Sequence, residues 1–260
     1  MALLVSVIGG MVASDATAGG WPQAQGHWQV IVPITSTQAN ARYGISGNKQ
    51  SASSYKKWEV APYVEFGLSK NLTLINEMAW TRDDTNYRGD HFTSEGMSRL
   101  KLGARLCLGD WQETTFSLQP LATIHGTTSG DNPSSPHSGD VDGEMAIVMA
   151  RSAPVLGIEA FSVQEVGYTK STGNAPDLVR ADVTLGLKPY QDTMLLIKSM
   201  NTTALSVNAS GGLYQSTKLG LSLVQNIAGN IALEAGYETV ITGRETLNEK
   251  TWRVGLWLQF

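Results

Sequence analysis

Ionisable side chains recur along this 260-residue chain in three patterns, each suited to a different chemistry. Asp83, Asp84, Asp90 and His91 share the polar stretch TRDDTNYRGDHFTSEG and would serve acid–base hydrolysis if they converged within hydrogen-bond reach. The run DNPSSPHSGDVDGE offers Asp131, Asp140, Asp142 and Glu144 beside His137, oxygen ligands of the kind a hard cation takes. That run lacks the regular ligand ladder of an EF-hand loop, and carboxylates so close in sequence are more commonly solvated than convergent. Neither stretch predicts an enzyme, a metal centre or a cofactor. The third pattern is longer-ranged. Glu59, Glu65 and Glu77 are followed by Arg99, Lys101 and Arg105, then by Arg180, Asp182, Lys188, Lys198 and Lys218, and finally by Glu234, Glu238 and Arg253. Within each short stretch these charges fall on alternate positions, which puts them on one face of a β-strand. Around a water-filled passage such charges set ion preference. Packed against one another, they neutralise each other and close the passage.

The segments that carry the charges alternate throughout. KWEVAPYVEFGLSKN sets Trp58, Val60, Val64, Phe66 and Leu68 against Glu59, Tyr63 and Glu65, and SRLKLGARLCLGD sets four leucines against Arg99, Lys101, Arg105 and Cys107. STKLGLSLVQN, NIALEAGYETV and TWRVGLWLQF repeat the plan. A soluble sandwich also alternates, but it does not turn so many charges inward. Here the polar face is charged and dotted with glycine, while the apolar face is aliphatic, with Trp28, Trp58, Trp80, Trp111 and Trp252 near segment ends. That is a barrel with lipid outside, aromatic girdles at the interfaces and a polar lumen. Tight turns at 69–71, 109–112, 153–157, 189–192 and 226–230 alternate with long polar loops. The chain therefore predicts an all-β fold, a transmembrane antiparallel up-and-down β-barrel of about twelve strands. Strands are expected to begin near His27, Trp58, Leu72, Met97, Thr115, Glu144, Ile158, Leu178, Thr193, Leu213, Ile231 and Thr251. Those at 144–152, 158–168 and 193–201 alternate poorly, so ten or fourteen strands also fit.

Composition sets the outer bounds. A formal net charge of -4 is too mild for nucleic acid as a partner. No apolar run reaches the roughly 18 residues of a transmembrane helix. The single cysteine, Cys107, rules out an intrachain disulfide framework and reads as a small filler.

The two ends carry resemblances. MALLVSVIGGMVASDATA looks like a secretory signal peptide: an apolar stretch runs into Ala16-Thr17-Ala18, a small-x-small cleavage site. It lacks the positively charged start, as a signal truncated at its N-terminus would. The expected division is 1–18 signal peptide and 19–260 a single barrel domain. At the other end, RVGLWLQF resembles the C-terminal insertion signal of Gram-negative outer-membrane β-barrels, with Arg253, Gly255, Leu258 and Phe260 in its four specified slots. This resemblance implies a porin- or transporter-like barrel, recognised by the barrel-assembly machinery and set among outer-membrane lipid and lipopolysaccharide. Long loops would be extracellular and both termini periplasmic. The expected activity is passive diffusion of small polar or charged solutes between opposed acidic and basic walls. The alternative is a non-conducting structural or surface-binding barrel whose salt-bridged charges plug it. Only Gly19 to Gly26 precede the first strand, so no folded plug domain is expected. No Ser-His pair with an orienting partner marks a barrel lipase.

Overall fold

Alternation of apolar and polar residues yields strand after strand in the computed structural model, which describes residues 19–87, 89–126, 128–129, 140–172, 175–206 and 213–260. The expected signal peptide, Asp131 and His137 lie outside these residues. The strands are β1 (Trp28–Tyr43), β2 (Lys49–Val60), β3 (Tyr63–Ser69), β4 (Leu72–Tyr87), β5 (Asp90–Trp111), β6 (Thr114–His125), β7 (Thr128–Ser129) and β8 (Val141–Ser152). They continue as β9 (Glu159–Ser171), β10 (Leu178–Tyr190), β11 (Thr193–Ala204), β12 (Gln215–Ala228), β13 (Ile231–Arg244), β14 (Thr246–Leu247) and β15 (Lys250–Gln259). β2 and β3 are two halves of one stave, parted at Ala61-Pro62 because Pro62 has no N–H to give the ladder. β7 and β14 are two-residue additions to β5 and β1. The rest make a closed antiparallel barrel of 12 staves, each paired with its sequence neighbour.

Closure is made by the last strand on the first. β15 pairs with β1 from Gln29↔Gln259 to Gln38↔Lys250, and Trp28 and Phe260 exchange both backbone hydrogen bonds at 3.0 Å. No sheet edge is left at the seam, as a hydrocarbon surround requires. Outside, Trp58, Trp80, Leu102, Leu108, Trp111, Leu221, Trp252 and Val254 are exposed. An apolar band of that extent is untenable in water and fits a lipid belt.

Ten staves begin within three residues of their expected starts, and two differ. The second begins at Lys49, not Trp58, and the fourth at Asp90, not Met97. The stretch TRDDTNYRGDHFTSEG is accordingly a β-hairpin and not a loop: its ladder runs from Arg82↔Glu95 to Tyr87↔Asp90, and β2 adds Lys56↔Asp84 and Lys57↔Asp83. These segments stand beyond the lipid belt and carry polar residues on both faces. Hydrophobic periodicity is silent there, and backbone pairing with cross-strand charges holds the strands together.

The three weakly alternating strands have a physical explanation. β8, β9 and β11 turn Val148, Ala150, Phe161, Val163, Met194 and Leu196 into the lumen, where they join Val224, Ala232 and Trp257 in a buried cluster. Both faces of these strands are apolar at this level, so their alternation is lost. The expectation of a polar lumen throughout is thereby corrected: at the end that holds Gly19 and Phe260, half of the interior wall is apolar.

Inward glycines permit this close filling. A Cβ on Gly103 would stand 2.3 Å from the Pro120 carbonyl oxygen and 2.5 Å from Leu121 Cδ2, whereas one on Gly143 would meet nothing within 4 Å. Gly103→Ala should therefore cost about 1–3 kcal/mol by overpacking, read as a lower urea midpoint in lipid vesicles. Gly143→Ala serves as the neutral control. Equal midpoints for the two variants would contradict this packing.

Candidate functional site: the barrel lumen

Alternation along the staves delivers the predicted charges to the lumen, and neighbouring staves then bring them into contact. Arg99 on β5 grips Glu59 on β2 through Nη1 and Nη2, both at 3.1 Å, and donates from Nε to Glu77 on β4 at 2.7 Å. Lys57 adds a contact to Glu59 at 3.3 Å. Arg105 meets Glu65 at 2.9 Å with both side chains buried. The acidic and basic sets thus interlock on one wall and do not face each other across a passage, as the sequence reading expected. The opposed walls give way to local pairs. Lys101 lies directly across the ladder from Glu77, whose carboxylate is already held by Arg99.

The other predicted charges are also engaged. Arg180 gathers Glu144, Glu165 and Asp182 from three adjacent staves. Glu234 receives Trp257 Nε1 at 3.0 Å and sits 3.2 Å from Arg253 Nε and 3.5 Å from Lys198 Nζ. Lys218 pairs with Glu249 at 3.0 Å. Glu238 lies beside Gly220 on the same inner face. Within the terminal strand, Arg253 and Gly255 point to this network, whereas Phe260 is exposed.

The segment before β1 enters the barrel. Gly20 is buried so tightly that a Cβ there would stand 2.6 Å from Val163 Cγ2 and 2.8 Å from Ala150 Cβ. Trp21 packs edge-on against Phe161, with ring centroids 5.8 Å apart, and leans on the apolar cluster. Its carbonyl accepts from Arg105 Nη1 at 3.2 Å. Gln23 Nε2 donates to Glu65 at 2.7 Å and to Gln29 at 3.2 Å, while its backbone N–H reaches Thr73 Oγ1 at 2.9 Å. Ala24 to His27 then turns across Gly67, whose N–H donates to the His27 carbonyl at 3.0 Å. Residues 19–23 therefore form a strap inside the lumen, followed by the exposed residues 24–27, an internal filling that the expected lack of a plug domain did not foresee. The sequence signals for it were modest: the Gly19-Gly20 pair, and Gln119, which links Arg105 to Glu165 at 2.9 and 3.1 Å.

The candidate rim residues do not converge. Asp83 faces inward and is buried, accepting from the Tyr55 hydroxyl at 2.9 Å. Asp84 is bound by Thr93 at 3.0 Å, and the exposed His91 stands 3.8 Å from it. Asp142 is joined to His125 at 2.7 Å and Glu144 to Arg180, so these two carboxylates are spent on pairing. Among the described residues no group of three or more His, Cys, Asp or Glu is arranged to hold a metal. At the extracellular rim, hydrogen bonds from Lys170 and Tyr168 hold the Asp177 carboxyl below its ordinary range. Cys107 is a free, half-buried thiol on the inner face.

The closed barrel, the exposed apolar band and the charged interior define a membrane-spanning barrel of the outer-membrane type. In that topology the tight turns, Gly19 and Phe260 face the periplasm and the long hairpins face outward. Comparison with solved structures agrees. An outer membrane channel from Pseudomonas putida F1 superposes with a TM-score of 0.72 at 12% identity, covering 94% of this chain and 99% of the other. The translocator domain of the autotransporter NalP from Neisseria meningitidis gives 0.55 at 12% identity, covering 95% and 90%. The NanC porin gives 0.53 at 8% identity, covering 87% and 98%. At such identities the likeness is one of fold, and it embraces small-molecule porins and autotransporter barrels alike. No protein-family model and no curated protein matches the sequence.

The ion pairs differ in their surroundings, and so should their energetics. Arg105→Met strands the buried Glu65 and should destabilise the barrel by about 3–5 kcal/mol. Arg151→Met, at the exposed pair with Glu113, should cost about 0–1 kcal/mol. Reversible urea unfolding of both variants in vesicles checks the contrast.

Proposed function

We propose that this chain is an outer-membrane channel for passive diffusion of small polar or charged solutes. One observation carries the reading. Two cavities inside the barrel, one lined by Tyr63, Glu77 and Arg253 and the other by Tyr55, Asp83 and His125, share Glu59 and Arg99 as a common wall. The proposed route joins the two cavities past the Glu59–Arg99–Glu77 group, where paired charges offer a solute hydrogen bonds of both signs at low net field. The likeness to a channel and a porin supports the same assignment. The terminal strand, with Arg253, Gly255, Leu258 and Phe260, would be read by the barrel-assembly machinery, and lipid and lipopolysaccharide would surround the belt.

The second reading is a non-conducting structural or surface-binding barrel. The strap in the lumen and the saturation of most inward charges favour it. Single-channel current across a planar bilayer separates the two, using barrel whose folding is confirmed by heat-modifiable migration. Discrete steps are expected, and Lys101→Glu should move the reversal potential toward cation preference without changing the migration. Silence from folded protein would leave the structural reading.

A further inference from the structure

The strap begins at a place already short of positive charge. Arg105 and Arg180 are joined through Gln119 into one network, buried at Arg105 and half-buried at Arg180. Its carboxylates are Glu65, Glu144, Glu165 and Asp182, which outnumber these two guanidiniums by two to one. Gly19 stands beside it: a Cβ on Gly19 would lie 3.5 Å from Glu65 Oε1, 3.7 Å from Arg105 Nη2 and 4.0 Å from the Tyr63 hydroxyl. Glu65 receives Tyr63, Arg105 and Gln23, and a carboxylate has about four acceptor sites. Tyr63 and Arg105 fill Oε1 and Gln23 takes one site on Oε2, so the remaining acceptor site is on Oε2.

We infer that the lumen is a built receptor for the chain's own processed N-terminus. Cleavage after Ala18 makes Gly19 the first residue, and its α-ammonium seats against Glu65 and supplies a positive charge that the network lacks. The inference rests on the cleavage site read from Ala16-Thr17-Ala18, and it is independent of whether the barrel conducts. Arg105 is the one described cation close to that position, and its guanidinium is turned to Glu65, Gln119 and the Trp21 carbonyl. The fit at Gly20 makes the receptor selective for a small residue in second place. Processing would thus be coupled to seating of the strap, because a chain still carrying residues 1–18 presents a neutral peptide group where the ammonium belongs.

Intact mass of barrel purified from membranes, followed by acylation at neutral pH, tests this. The mass should correspond to a chain beginning at Gly19. In the folded barrel the α-amine should acylate at least about tenfold more slowly than in heat-unfolded protein, since only the deprotonated, accessible amine reacts and one pKa unit is tenfold. Glu65→Gln should abolish that protection. Gly20→Leu, which leaves the Glu65–Arg105 pair in place, should abolish it too, and it stands as the test if the Glu65 variant fails to fold. A chain beginning elsewhere, or an α-amine that labels at the rate of an exposed peptide amine, would overturn the assignment.

Discussion

Hydrocarbon offers no partner to a backbone N–H or C=O, and this constraint organises the whole chain. Every stave must find two neighbours, so the first and last strands have to meet. The ten-pair ladder between β1 and β15, ending in the reciprocal bonds of Trp28 and Phe260, satisfies that requirement. Once the sheet is closed, its two faces have opposite solvents. Leucine, valine and tryptophan turn to lipid, and whatever is polar turns inward.

The interior then poses the reverse problem. A charge in a confined lumen is costly unless it is paired, and neighbouring staves solve this locally. Arg99 collects carboxylates from two staves and Arg180 from three, so each guanidinium ties together strands that are already hydrogen-bonded. Toward the periplasmic end the chain uses the opposite solution. There the wall from β8 to β15 is apolar, and Trp21 completes a small core inside the barrel. The strap spans the two regimes, with Trp21 and Gly20 on the apolar side and Gln23 on the polar side.

Much of this was legible in the residues themselves. Period-two alternation gave the fold class and, together with the turn signals between strands, the starts of ten staves, because lipid on one side and charge on the other write the pattern plainly in most of them. It failed where a strand has one kind of surrounding on both faces. At Lys49–Tyr55 and Asp83–Asn86 both faces are polar, and at β8, β9 and β11 both are apolar. The inward position of Glu59, Glu65, Glu77, Arg99 and Arg105 follows from parity alone. Their partnership does not.

What the sequence determined by itself is the alternation, the parity of each charged residue and the terminal strand, all of which depend on the two-residue repeat of an extended chain. The tertiary structure decided which charges touch, because stagger between staves sets whether an arginine meets the carboxylate beside it or one further along. It also decided that the lumen is filled at one end. No local pattern announces that the lead-in to β1 will fold back inside, since its fit depends on Ala150, Phe161 and Val163, more than a hundred residues away and brought to it only by closure of the barrel.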